Sequence, residues 1–143
     1  MLVDSHCHLD FNDFEDDICD IVERAKENGV NMILNAGNNI NELDNQLALS
    51  ERFPFIFAAV GVHPHNAEDF VEDDLQRLAD WSKEEKVVAI GEIGLDYYYD
   101  YAPRDLQIKL LREHIKAAQE TGLPLIIHNR ESDDDMIDIL GEA

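Results

Sequence analysis

Five nearly unbroken apolar runs, each followed by apolar residues at helical spacing, constrain this chain more than any other feature. They are Met1-Leu2-Val3 leading into Asp4-Ser5-His6, Val30 to Gly37, Phe55 to Val62, Val87 to Ile93, and Leu125 to His128. Strands with one wet face alternate apolar and polar side chains, whereas strands covered on both faces do not, so these runs predict a parallel sheet wrapped by helices. The helical stripes lie between them. Asn12 and Asp13 are expected to cap a helix bearing Phe14, Ile18, Ile21, Val22 and Ala25, with Gly29 as its stop. Ile40, Leu43 and Leu47 form a second stripe, and Phe70, Val71, Leu75, Leu78 and Ala79 a third. Pro103 opens a fourth helix carrying Ile108, Leu111, Ile115 and Ala118, and Gly122 closes it. Asp133, Asp134 and Asp135 suit the N-terminus of a fifth, ahead of Met136, Ile137, Ile139 and Leu140.

A parallel sheet of this kind is either doubly wound or closed into a barrel. No glycine-rich phosphate loop follows the first strand, and polar residues gather at the C-terminal ends of several strands, which favours the barrel. At 143 residues and 45% hydrophobic content the chain can bury one core, so a single domain over residues 1–143 is expected. A complete eightfold barrel takes about 250 residues. The fold class is therefore α/β of the parallel TIM-barrel type, truncated to about five βα units, the N-terminal part of a (β/α)8 barrel.

Parallel strands bring their C-terminal ends to one rim, and the polar residues there are His6 and His8, His63 and His65, Glu92 and Asp96, and His128 and Arg130. Only His114 among the six histidines falls elsewhere, inside a helix, where a surface or packing role is expected. On a strand His6 and His8 share a face about 6.6 Å apart, close enough for two imidazoles to converge on one metal or a metal pair. Small neighbours, Gly91 and Gly94, leave room beside Glu92, and a carboxylate among imidazoles suits a hydrolytic divalent ion. Pro64 stiffens the turn that carries His63 and His65, which suits substrate contact or proton transfer as well as a structural turn. Arg130 offers a two-pronged fork for a phosphate. Tyr97, Tyr98 and Tyr99 either stack on bases at the rim or pack between loop and helix.

Charge narrows the partners. With 32 acidic against 11 basic residues the net charge is −21, which disfavours a broad surface for polyanions or anionic membrane. No stretch approaches the roughly 18 apolar residues of a membrane span, and no basic segment precedes an apolar run at the N-terminus. Cys7 and Cys19 form no disulfide framework and are expected to be packing residues in a reducing compartment. A soluble, cytoplasmic protein is the expectation.

Four ordered motifs resemble one family. Asp4-Ser5-His6-Cys7-His8-Leu9-Asp10, Gly61-Val62-His63-Pro64-His65, Gly91-Glu92-Ile93-Gly94-Leu95-Asp96-Tyr97 and Leu123-Pro124-Leu125-Ile126-Ile127-His128-Asn129-Arg130 are similar to the successive motifs of the TatD metal-dependent deoxyribonucleases. The resemblance implies an amidohydrolase-type barrel that uses one or two divalent ions, usually magnesium or manganese, to cut DNA phosphodiester bonds, while imidazole-rich coordination would also suit zinc. It implies His6, His8, Glu92 and His128 as metal ligands, Glu92 also as the catalytic carboxylate, and His63, His65 and Arg130 as the substrate-facing rim. The family pattern continues to a further ligand histidine and a metal-binding aspartate that this sequence does not contain, and Asp133-Asp134-Asp135 opens a helix and does not end a strand.

Two ions would neutralise charge on a phosphate, and a chain this acidic suits single strands or strand ends better than long duplex. An ester hydrolase acting on aminoacyl-tRNA or another ester would use the same site. Rival readings are an inactive metal-binding or interaction fragment, self-associating through open sheet edges at Leu2-Val3 and Leu125-Ile126, and a non-catalytic regulator with a ligand pocket at the rim.

Overall fold

The computed structural model describes residues 2–143. Five strands, β1 (Leu2–Cys7), β2 (Val30–Asn35), β3 (Ile56–Val60), β4 (Val87–Asp96) and β5 (Leu125–Arg130), pair in the order β1-β2-β3-β4-β5. Every pairing is parallel. Five helices intervene or follow: α1 (Ile18–Glu27), α2 (Leu43–Arg52), α3 (Asp74–Trp81), α4 (Arg104–Thr121) and α5 (Asp133–Glu142). This is the expected βα alternation, and the sheet curls as part of a barrel does.

The main core lies between β3, β4 and the helices on their outer side, with Val60, Leu78, Ile90, Ile93, Leu111 and Ile115 buried. A smaller core of Ile18, Val22, Ile33 and Ile56 sits under α1. Burial is deepest on β4, where nine of ten residues are buried, and weakest on the two strands at the ends of the order. Leu2 and Val3 on β1 are more than half exposed, as expected of an edge. On β5 the exposed apolar residue is Ile127, whereas Leu125 packs against the main core and Ile126 is half-buried.

Two helix starts differ from expectation. Asn12–Phe14 forms a 3₁₀ turn, in which Phe14 N–H donates to Phe11 O and Glu15 N–H to Asn12 O, so α1 begins only at Ile18 and Asn12 and Asp13 do not cap it. Phe70 and Val71 precede α3 because the Asp74 carboxylate accepts the Val71 N–H at 3.0 Å and closes a turn there. Pro103 does precede α4, and Gly122 ends it in the left-handed region (φ 74°). Cys7 is half-buried, while Cys19 is exposed at the α1 surface beside Arg52, so only the first is a packing residue.

The curl has a specific cause. Gly37 N–H donates to Gly91 O at 2.9 Å and Glu92 N–H donates to Gly37 O at 3.0 Å, although β3 lies between β2 and β4 in the sheet. A Cβ on Gly37 would stand 2.6 Å from Gly61 N and O and from Gly91 O, so the three backbones approach more closely than any side chain allows.

His114 is fully buried on α4. Its Nδ1–H donates to Leu110 O at 2.9 Å and its Nε2 accepts the Val62 N–H at 3.3 Å, so the ring is neutral and pins the chain just before His63. Burial pushes its pKa down to about 4.

Gly37→Ala is expected to lower stability by about 1–3 kcal/mol in chemical denaturation, since backbone must move. Gly141→Ala, on a helix with nothing within 4 Å of the new methyl, is expected to be neutral or stabilising. Because the His114 pKa lies below its unfolded value of 6.5, the unfolded chain binds the extra proton first, and this contribution is lost as pH falls from 6.5 through about 4. Denaturation against pH should therefore be flatter in that window for His114→Gln than for the parent chain.

Candidate metal centre

The residues at the C-terminal rim form two adjoining groups that meet at Glu92 and His128. In the first, His6 Nε2 lies 2.9 Å and His8 Nε2 lies 3.2 Å from Glu92 Oε2, and the two ring nitrogens are 3.3 Å apart. Three donors each about 2.1 Å from one ion stand about 3.0 Å apart at right angles and about 3.4 Å apart in a tetrahedron, so this triangle has the dimensions of a divalent site. His8 is also set for the task. Its Nδ1–H donates to Ala36 O at 3.2 Å, which aims Nε2 at Glu92, and its ring stacks on Phe11 at 5.1 Å. The loop beyond His8 is held by buried Asn35, which accepts the Leu9 N–H and donates to Asp10 Oδ1.

The second group is His63, His65, His128 and Asp96. The three histidines each offer a ring nitrogen within 4.8 Å of the others. His128 bridges outward from it, with Nδ1 3.0 Å from Glu92 Oε1 and 3.2 Å from His63 Nε2, and Nε2 3.0 Å from Asp96 Oδ2. His65 Nε2 reaches the same Asp96 oxygen at 2.8 Å. Glu92 thus turns one oxygen to His6 and His8 and the other to His128, the disposition of a carboxylate that can bridge two ions. His63 is set differently from His8. Its Nδ1 accepts the His65 N–H at 3.2 Å, so in the neutral ring the proton sits on Nε2.

Close backbone contact makes this meeting possible. Gly94 pairs with His128 across β4 and β5, and a Cβ on Gly94 would run into the His128 carbonyl. Its φ of 152° suits glycine as well.

Electrostatics follow from the partners. Burial opposes ionisation of Glu92, but hydrogen bonds from His128 and His8 outweigh it and hold the carboxyl well below the usual range. Asp96, fully buried, is likewise opposed by burial and drawn down to about 2 by the Tyr99 amide and by His65 and His128. The hydrogen bond to Glu92 raises the pKa of His8 and that of His128. His63 goes the other way, to about 4, because burial dominates. Anionic carboxylates ringed by imidazoles are the donor set of a hydrolytic divalent ion.

All the rim residues singled out in the sequence come together except Arg130, which extends from β5 over the Tyr98 and Tyr99 rings at 4.1 and 4.5 Å to their centroids. Tyr97 packs half-buried, whereas Tyr98 and Tyr99 are exposed. Sequence reasoning placed Asp96 at the rim without a role, and it did not find Gln107. That side chain, buried on α4, accepts the Asp96 N–H at 2.8 Å and donates to Ala102 O at 2.8 Å, fixing the loop between β4 and α4. Its amide character on an otherwise apolar stripe was the available signal.

Comparison with known proteins agrees with the geometry. The chain is 42% identical over 142 residues to YabD of Bacillus subtilis, an uncharacterized metal-dependent hydrolase, covering 99% of this chain and 56% of that one. It is 36% identical to the Schizosaccharomyces pombe deoxyribonuclease Tat-D, over 87% of this chain and 44% of that one. Among solved structures, the TatD homologue YjjV of Escherichia coli matches with a TM-score of 0.91 at 34% identity, covering 99% of this chain and 55% of YjjV. A TatD family hydrolase from Entamoeba histolytica matches with the same TM-score, 0.91, at 25% identity, over 99% and 54%. The chain spans about half the length of the curated relatives it matches. The family model for TatD related DNase matches residues 3–143, and the chain belongs to that family.

Proposed function

We propose that this chain carries the site of a metal-dependent hydrolase that cleaves DNA phosphodiester bonds, with single strands or strand ends as substrate. The observation that carries the reading is the Glu92 carboxylate, whose two oxygens face two imidazole groups at 2.9 to 3.2 Å. Similarity to a deoxyribonuclease and to metal-dependent hydrolases supports it. His6, His8, Glu92 and His128 would hold one or two divalent ions of the magnesium, manganese or zinc kind, with Glu92 as the catalytic carboxylate. Such an ion, when bound, supplies Lewis acidity toward a phosphoryl oxygen and lowers the pKa of water.

The remaining residues orient the substrate. Arg130 presents a cation to the phosphate from the lip. His63, kept neutral by burial and lying 3.2 Å from His128, presents an uncharged ring to the substrate side where an imidazolium would compete with the ions. His65 and Asp96 steady that rim. A net charge of −21 supports a substrate that enters end first, because few phosphates can be gripped at once. No helix among the described residues is long and apolar enough to cross a membrane. The two free cysteines suit a reducing, cytosolic setting.

A second reading, in which these residues bind an ion without completing turnover, needs only the two donor groups, His6, His8 and Glu92, and His63, His65 and His128. Pairing with another chain through the exposed edge at Leu2 and Val3 belongs to that reading.

The test is hydrolysis of an end-labelled single-stranded oligonucleotide by chelator-stripped protein with magnesium, manganese or zinc restored. Cleavage is expected only with metal, and is expected to fall at least a hundredfold in His6→Ala/His8→Ala and in Glu92→Gln, with folding checked by circular dichroism. Cleavage that persists in chelator, or in the histidine double variant, would overturn the proposal. Metal binding without cleavage would favour the second reading.

A further inference from the structure

The loop that leaves β4 exposes three aromatic rings beside the metal-type cluster. Tyr98, Tyr99 and Tyr101 are 54%, 44% and 64% exposed. They form one surface: Tyr99 stacks on Tyr101 at 5.2 Å and 21°, and Tyr98 meets Tyr99 edge-on at 4.8 Å. The Arg130 guanidinium lies over two of the rings, and the edges of Tyr99 and Tyr101 meet the His65 ring at 5.5 and 4.8 Å. Such a group of wet rings is costly to leave in water and marks a surface that something covers.

The surface is anchored to the same carboxylate that faces the histidines. Asp96 Oδ2 contacts His65 and His128, while its Oδ1 accepts the Tyr98 and Tyr99 N–H groups at 3.1 and 2.9 Å. Gln107 holds both ends of the segment through Asp96 and Ala102. The rings are therefore preorganised, and their distance from Glu92 is set by one side chain, His128, which touches both carboxylates.

The occupant follows from chemistry. In a chain with 11 basic against 32 acidic residues, Arg130 supplies a cation at the lip, and it is already arranged face-on to aromatic rings. Flat π-faces with a guanidinium plane beside a phosphodiester site match a nucleobase and its adjoining phosphate. We propose that Tyr98, Tyr99, Tyr101 and Arg130 form a nucleobase-stacking subsite that seats an unpaired base of single-stranded DNA next to the phosphate presented to Glu92. The proposal rests on the phosphodiester reading above and adds the selector for unpaired strands: in duplex the base faces are already stacked and only frayed ends can offer one.

The test compares two fluorescently labelled strands of equal length and charge, one of thymidine nucleotides and one in which abasic tetrahydrofuran units replace them, binding to the full chain with manganese by anisotropy. The thymidine strand is expected to bind roughly tenfold more tightly, the size of one base–aromatic stack. That ratio is expected to collapse toward one in Tyr98→Leu/Tyr99→Leu/Tyr101→Leu, and to return when Tyr99→Trp is tested alone. Equal binding of the two strands by the parent chain, or no binding of either, overturns the subsite. A ratio that survives loss of all three rings also overturns it. Manganese-dependent hydrolysis of bis(p-nitrophenyl) phosphate, which has no base, tests the phosphodiester reading separately, so failure of one is not failure of the other.

Discussion

Three glycines in contact fix the geometry on which the site depends. Gly37 and Gly61 follow the ends of β2 and β3 and Gly91 lies midway along β4, and their backbones lie so close that the Gly37 and Glu92 amides bond across the intervening strand. Strands two places apart in a flat sheet stand about 9.6 Å from one another and cannot do this. The sheet must curl sharply here, and the curl brings Glu92 inward, facing the ends of β1 and β5 at once. Hydrogen bonding and fold are the same fact at this point: the buried amides of Gly37 and Glu92 are satisfied only if the barrel-like curvature forms.

Two buried carboxylates on β4 then divide the work. Burial by itself would favour their neutral forms, yet both are held ionised by the imidazoles and amides around them. Glu92 serves the two imidazole groups with its two oxygens. Asp96 serves one imidazole group with Oδ2 and the tyrosine loop with Oδ1. His128 stands between the two acids, reaching each at 3.0 Å through a different ring nitrogen. Each side chain is constrained from two directions, which is the kind of support that keeps a site within tenths of an ångström of its working geometry.

The fold and most of the site were legible in the sequence for one reason: the apolar runs locate strand ends, and parallel strands put all C-terminal ends on one rim. His6, His8, Glu92 and His128 could be gathered by that rule alone. What could not be read was set by nonlocal contact. The role of Asp96 depends on the pairing of Gly94 with His128 and of Asp96 with Arg130 across β4 and β5. His114 looked like any helical histidine, and only the packing of α4 against the end of β3 makes it a neutral, buried anchor for Val62. The start of α1 was missed because a 3₁₀ turn and an α-helix begin with the same polar residues and differ only in which carbonyl each amide finds. Tyr98 and Tyr99 were visible as rim residues and Tyr101 was not singled out, and their assembly with Arg130 belongs to the register of β5.

Glu92 is proposed to stand between two ion-binding groups, facing each with one oxygen. Electron paramagnetic resonance of the chain titrated with manganese tests it most directly, because two ions joined by one carboxylate are exchange-coupled while separate ions are not. A coupled-pair signal is expected in the fully loaded chain and is expected to disappear in Glu92→Gln. The hyperfine pattern of isolated manganese at every loading of the parent chain would contradict it.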